Sequence, residues 1–130
     1  MTTTVRIDFD EAGVLAAVKR GNAVALRRAG AYVRTTVRHG IVKSAKSSAP
    51  GARPHTRRGL LKRSILFGVD STRQSVVIGP ARSIIGLSMT AHEFGGLYRR
   101  RNYPKRPFMG PALLKTAPRL PKLWEDSLKP

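Results

Sequence analysis

Apolar and polar residues alternate at the start of the chain, with Val5, Ile7 and Phe9 set against Arg6 and Asp8, and this period of two predicts a short strand. The period then lengthens. From Glu11 to about Ser48 the residues Leu26, Val33, Val37, Gly40 and Ser44 recur at spacings of three, four and seven, the signature of a helix with one packing stripe. Asp10 suits its N-cap, and Glu11 favours the positive helix end. Gly21-Asn22 predicts a break. Ala23, Ala29 and Gly30 on the packing stripe would let another element approach closely, while Arg20, Arg27, Arg34 and Arg38 fall on an adjoining face. Pro50 and Pro54 end the helix and open a loop.

Thr56 is placed to cap a short turn carrying Arg57, Arg58, Leu60, Leu61, Lys62 and Arg63. The stretches Ser64–Asp70 and Ser75–Gly79, rich in Ile, Phe and Val, flank the polar turn Ser71-Thr72-Arg73-Gln74 and predict a hairpin. Pro80–Ser88 reads as irregular, Met89–Phe94 as a short element of ambiguous type, and Gly95–Arg106 as a loop. From Pro107 onward helix returns, with Phe108, Ala112, Leu113, Leu120, Leu123, Trp124 and Leu128 as its apolar set. Pro118 and Pro121 should kink or split it. No internal repeat or coiled-coil heptad is visible. The pattern therefore predicts one α+β domain over residues 1–130, a long N-terminal helix on a small antiparallel sheet with a C-terminal helix.

Charge changes the picture more than hydrophobicity does. The 130 residues carry 25 Lys and Arg against 7 Asp and Glu, a net charge of +18. Such a chain repels its own copies and favours polyanions or an acidic partner. No acid occurs from Ala12 to Val69, so the cations of that stretch face solvent, a neighbour or a polyanion. Cysteine is absent, which excludes disulfides, thiolate catalysis and Cys-type zinc sites. No apolar run approaches a membrane span, and Met-Thr-Thr-Thr-Val-Arg lacks the apolar core of a signal peptide. Synthesis and use in a cytoplasm are expected, with no membrane partner.

Catalytic and metal signatures fail one by one. His92-Glu93 begins like a zinc-protease helix, but the position four after His92 is Gly96 where a second His is required. His39, His55 and His92 are scattered, acids are few, and no glycine-rich phosphate loop is present. The expectation is a non-enzyme with no cofactor and no metal. The run Arg99-Arg100-Arg101, with Tyr98 and Tyr103 beside it, suits either base stacking or a protein interface.

Four stretches share an order with a known family. Ala49-Pro50 closes the long helix, Gly-Leu-Leu-Lys-Arg-Ser-Ile spans Gly59 to Ile65, Glu-Phe-Gly spans Glu93 to Gly95, and Pro-Lys-Arg-Pro-Phe-Met-Gly-Pro-Ala-Leu spans Pro104 to Leu113. This order, across about residues 10 to 128, resembles the phage tail-component family of lambda-like siphophages. The family pattern has an Ala-Pro helix end, Thr-Gly-x-Leu-x-x-Ser-Ile, Glu-Phe-Gly and Arg-Pro-Phe-x-x-Pro-Ala-Leu. Arg106 to Leu113 is its most specific piece, and Arg57-Arg58, inserted between Thr56 and Gly59, is a departure.

The resemblance implies a tail-completion, tail-terminator or head-tail joining protein, assembled in the host cytoplasm and found at the neck or tail top of the virion. It would form a homo-oligomeric ring, often a hexamer, between a tail tube protein and a head-side connector or stopper protein. Glu93, Phe94, Arg99, Arg100, Arg101, Arg106 and Phe108 are then the expected interface residues. The charged Gly95–Arg106 loop would be ordered by a neighbour. Arg20, Arg27, Arg34 and Arg38 would face packaged DNA without reading its bases. The competing expectation is a freestanding basic nucleic-acid-binding protein.

Overall fold

The computed structural model describes residues 4, 6, 10–125 and 127; Val5, Ile7, Asp8 and Phe9 of the expected strand and the apolar position Leu128 lie outside the described residues. Helix α1 (Glu11–Gly40) is the longest element, about 45 Å at 1.5 Å per residue. Asp10 caps it, its carboxylate accepting from the Gly13 amide at 2.9 Å. The helix runs unbroken through Gly21-Asn22, because tertiary contacts hold both residues. The Ser127 carbonyl lies where a Cβ on Gly21 would sit. The Asn22 side chain donates to Gln74 at 2.7 Å and accepts from the Trp124 indole at 2.8 Å.

The helix also ends at Gly40 and not near Ser48. Ile41 turns extended and is wholly buried, and β1 (Val42–Lys43) pairs in parallel with β2 (His55–Thr56). Burial of Ile41 and the ladder with β2 replace further helical turns. Pro50 and Pro54 lie in the loop between these strands. Thr56 is therefore a buried strand residue, and Gly59, at φ 76°, stands at the N-cap of α2 (Leu60–Ser64) in place of the expected Thr cap.

Strands β3 (Ile65–Asp70) and β4 (Ser75–Pro80) form the expected antiparallel hairpin, in register from Ile65↔Pro80 to Asp70↔Ser75. Asp70 Oδ1 accepts from the Thr72 and Arg73 amides and shapes the turn. The hairpin lies along α1. A Cβ on Gly30 would meet Phe67 at 2.5 Å and Val76 at 2.9 Å, so the predicted small-residue approach falls here. Pro80–Ser88, read as irregular, contains the short helix α3 (Arg82–Ile85) and the start of α4 (Ser88–Phe94).

The Gly95–Arg106 stretch is not a loop awaiting a neighbour. It folds on itself as β5 (Gly96–Tyr98) and β6 (Arg101–Tyr103), an antiparallel hairpin with a two-residue turn. Helix α5 (Met109–Thr116) follows, then a 3-10 helix (Ala117–Trp124). The geometry tightens after Thr116, as expected of a segment holding Pro118 and Pro121, since proline removes the amide donor an α-helix needs. The fold class is α+β, as expected, with one parallel and two antiparallel ribbons among the described residues.

A buried cluster joins these pieces: Val33, Val37 and Ile41, Leu61, Ile65, Phe108 and Ala112. Ile78, Ile85, Met89, Met109 and Leu120 pack against it. Two buried hydroxyls are satisfied locally, Ser64 donating to the Leu61 carbonyl and Thr116 to that of Ala112, whereas the Ser48 hydroxyl is buried with no partner among the described residues.

Candidate partner-docking site

The region of interest begins with one carboxylate. Glu93, near the end of α4, accepts hydrogen bonds from the backbone amides of Phe108 (2.8 Å), Met109 (3.0 Å) and Gly110 (2.9 Å). These are donors at the start of α5 with no intrahelical partner, and a negative charge there also meets the positive helix end. One residue earlier, the His92 carbonyl accepts from the Arg106 amide at 2.6 Å. Gly95 follows at φ 73°, where a Cβ would press on the Tyr103 carbonyl and the Lys105 amide at 3.3 and 3.2 Å. Glu-Phe-Gly and the start of Arg-Pro-Phe, distant in sequence, are thus two halves of one joint.

Arg106 strengthens that joint by donating from Nε to the Ser48 carbonyl at 3.0 Å, and the Gly51 amide donates to the Lys105 carbonyl at 2.7 Å. The β5–β6 hairpin projects from this base. Its ring contacts run His92–Tyr103 and Tyr103–Tyr98, both with centroids 6.1 Å apart, and Arg99 lies 5.4 Å over the Tyr98 ring. His92 is held below its ordinary value near 6.5, first by burial and then by the Arg106 charge.

The expected interface residues consequently divide. Phe94 is 74% exposed, and Arg99, Arg100 and Arg101 form the exposed hairpin tip. Phe108, by contrast, is a core residue at 2% exposure, buried because the joint draws the start of α5 inward. The Glu93 carboxylate and the Arg106 guanidinium are engaged within the chain. Leu97, 78% exposed beside Phe94 and the arginines, was missed by sequence reasoning; a lone apolar residue inside a basic stretch was the available signal.

The expected DNA face divides too. Arg20 and Arg27 are exposed on α1. Arg34 instead lies 4.8 Å over the Phe67 ring, and Arg38 donates from Nη2 to the Ile65 carbonyl at 2.7 Å. The helical spacing is as read, but the β3–β4 hairpin covers the C-terminal half of that face. Among the described residues no group of three or more His, Asp or Glu is arranged to hold a metal ion, and no helix is long and apolar enough to cross a membrane.

The geometry therefore leaves Phe94, at the end of α4, and Leu97, on β5, exposed within a few residues of a triple-arginine hairpin tip. Compared with family models, with curated proteins and with solved structures, the chain finds no match, so its function is argued from these residues.

Proposed function

We propose that the chain is a non-enzymatic assembly subunit, one copy of a ring at the head-tail junction of a tailed phage or phage-like particle. The observation that carries this reading is the exposure of Phe94, at the end of α4, together with Leu97, Arg99, Arg100 and Arg101 on the braced hairpin that follows it. Aromatic and arginine side chains are the usual anchors of protein interfaces, and basic rims choose acidic partners. The sequence order shared with tail-component proteins supports the same reading. A net charge of +18 opposes association of bare copies, so ring formation is expected to need an acidic tail tube or connector surface, or DNA.

A second reading, a freestanding basic nucleic-acid-binding protein, is favoured by the overall charge and by exposed Arg20 and Arg27. The two differ in what the arginine tip does. Charge reversal of Arg99, Arg100 and Arg101 to Glu should abolish joining of heads to tails while leaving most of the salt dependence of DNA binding in place. Each phosphate that the protein no longer neutralises would flatten the log–log salt slope by only about 0.9. Normal joining with a flattened DNA slope would overturn the assembly reading. So would absence of the chain, at fixed stoichiometry, from purified particles.

A further inference from the structure

A second feature adjoins the base of the hairpin and shares His92 with it. Strand β2, the bend after it, α2, α3 and α4 line an open pocket of about 430 Å³, within the range of roughly 300–1,000 Å³ usual for small-molecule sites. Its wall holds four nitrogen-rich side chains, His55, Arg57, Arg58 and His92, and no carboxylate. Leu60, Leu61 and Ile85 supply an apolar surface and Thr56 a hydroxyl-bearing side chain.

The nearest acid in sequence is Glu93, whose oxygens are taken by the three amides of α5. His92 Nδ1 is buried and makes no hydrogen bond among the described residues. His55 is oriented by the contact of its Nδ1 with the Lys46 carbonyl at 2.9 Å. Arg57 and Arg58 are exposed on the bend, inside the stretch that contains no acid. They are also the two residues by which the chain departs from the Thr-Gly-x-Leu pattern it otherwise resembles.

A lining with two arginines, no carboxylate and several apolar side chains selects an anion with a body attached. Arginine offers paired donors matched to phosphate oxygens, and the apolar side favours a ring or short carbon frame over a bare ion. We propose that this pocket binds a phosphate group carried on a small body with an apolar face, of the size of a mononucleotide. Free mononucleotide and the phosphorylated end of a nucleic acid share this chemistry.

The test is an amide-resolved NMR titration of the full chain at moderate salt. The probes are inorganic phosphate, a nucleoside 5′-monophosphate, the matching nucleoside, and a short oligonucleotide with or without a 5′-phosphate. The monophosphate should saturate with shifts confined to residues 55–61, 85 and 92, and inorganic phosphate should move the same amides more weakly. The nucleoside should move none of them. Tighter binding of the 5′-phosphorylated oligonucleotide than of the monophosphate would identify a nucleic-acid end as the source, and the reverse order a free nucleotide.

The double variant Arg57→Gln/Arg58→Gln should weaken binding roughly tenfold or more, given the strength of charge-assisted hydrogen bonds. Arg82→Gln/Arg119→Gln, both exposed and outside the pocket, should leave it unchanged. An unaltered spectrum elsewhere in the double variant would show that it still folds. Absence of saturation, equal response to the nucleoside, or undiminished binding by the Arg57/Arg58 variant would overturn the proposal.

Discussion

Glu93 caps a helix from outside it, and its side chain ties α4 to α5 through three amide hydrogen bonds. Replacing it with Ala would leave those donors to water or to nothing. Loss of a cap costs about 1 kcal/mol, and bonds to a charged acceptor are worth about 1.5–3 kcal/mol each before water is allowed to replace some of them. Glu93→Ala should therefore lower unfolding stability by about 2–3 kcal/mol in a urea titration, and Glu93→Gln, which keeps one carbonyl oxygen, by about 1 kcal/mol. Equal stability of all three chains would mean that the carboxylate does not hold the joint.

At the scale of elements, the β5–β6 hairpin combines a stable base with a strained tip. Arg99 and Arg100 both sit at positive φ, 48° and 63°, in the two-residue turn between Tyr98 and Arg101. Asn-Gly is the pair that such turns favour, and a residue other than glycine in this region costs on the order of 1–3 kcal/mol. Two arginines at that place are disfavoured for folding and suited to contact. Arg99→Asn with Arg100→Gly should raise stability by about 1–2 kcal/mol, measured by denaturant midpoint, while weakening association with an acidic partner. An unchanged midpoint would show that the turn carries no such strain. The same scale explains α1: Gly21 tolerates its helical place because Ser127 and the Asn22 contacts with Gln74 and Trp124 hold that turn.

For the whole molecule the governing quantity is the net charge of +18. Among the described residues Arg73 pairs with Asp70 at 3.8 Å, an exposed contact of little energetic weight. Acidification adds charge at His92, whose imidazole is held below its ordinary value by burial and by the Arg106 charge. Because the folded value of His92 lies below the ordinary 6.5, protonation favours the unfolded chain. Its contribution to stability is complete above pH 6.5 and is lost as the pH falls from there toward the folded value. Melting temperature should therefore drop between pH 7.5 and 5.5, less so in His92→Gln, and added salt should restore part of it by screening the self-repulsion. A melting temperature indifferent to pH in wild type, or a drop of the same size in His92→Gln, would remove His92 from this account.

Periodicity and punctuation in the sequence were enough to determine the Asp10 cap, the packing stripe of α1, the β3–β4 hairpin and the altered helix after Pro118. Each depends on residues a few positions apart, and local sterics and hydrogen bonding act over that range. The Glu93–α5 joint, the end of α1 at Gly40 and the burial of Phe108 were decided by tertiary structure, since each needs a partner segment from elsewhere in the chain. The arginine stripe shows the division most plainly: helical spacing placed Arg20, Arg27, Arg34 and Arg38 on one face, but that face has no meaning until something lies on it. The β3–β4 hairpin settles over half of it, turning Arg34 and Arg38 into packing and hydrogen-bonding groups and leaving Arg20 and Arg27 to solvent. Desolvation and contact, which only three-dimensional packing supplies, decide whether a cation is surface or structure.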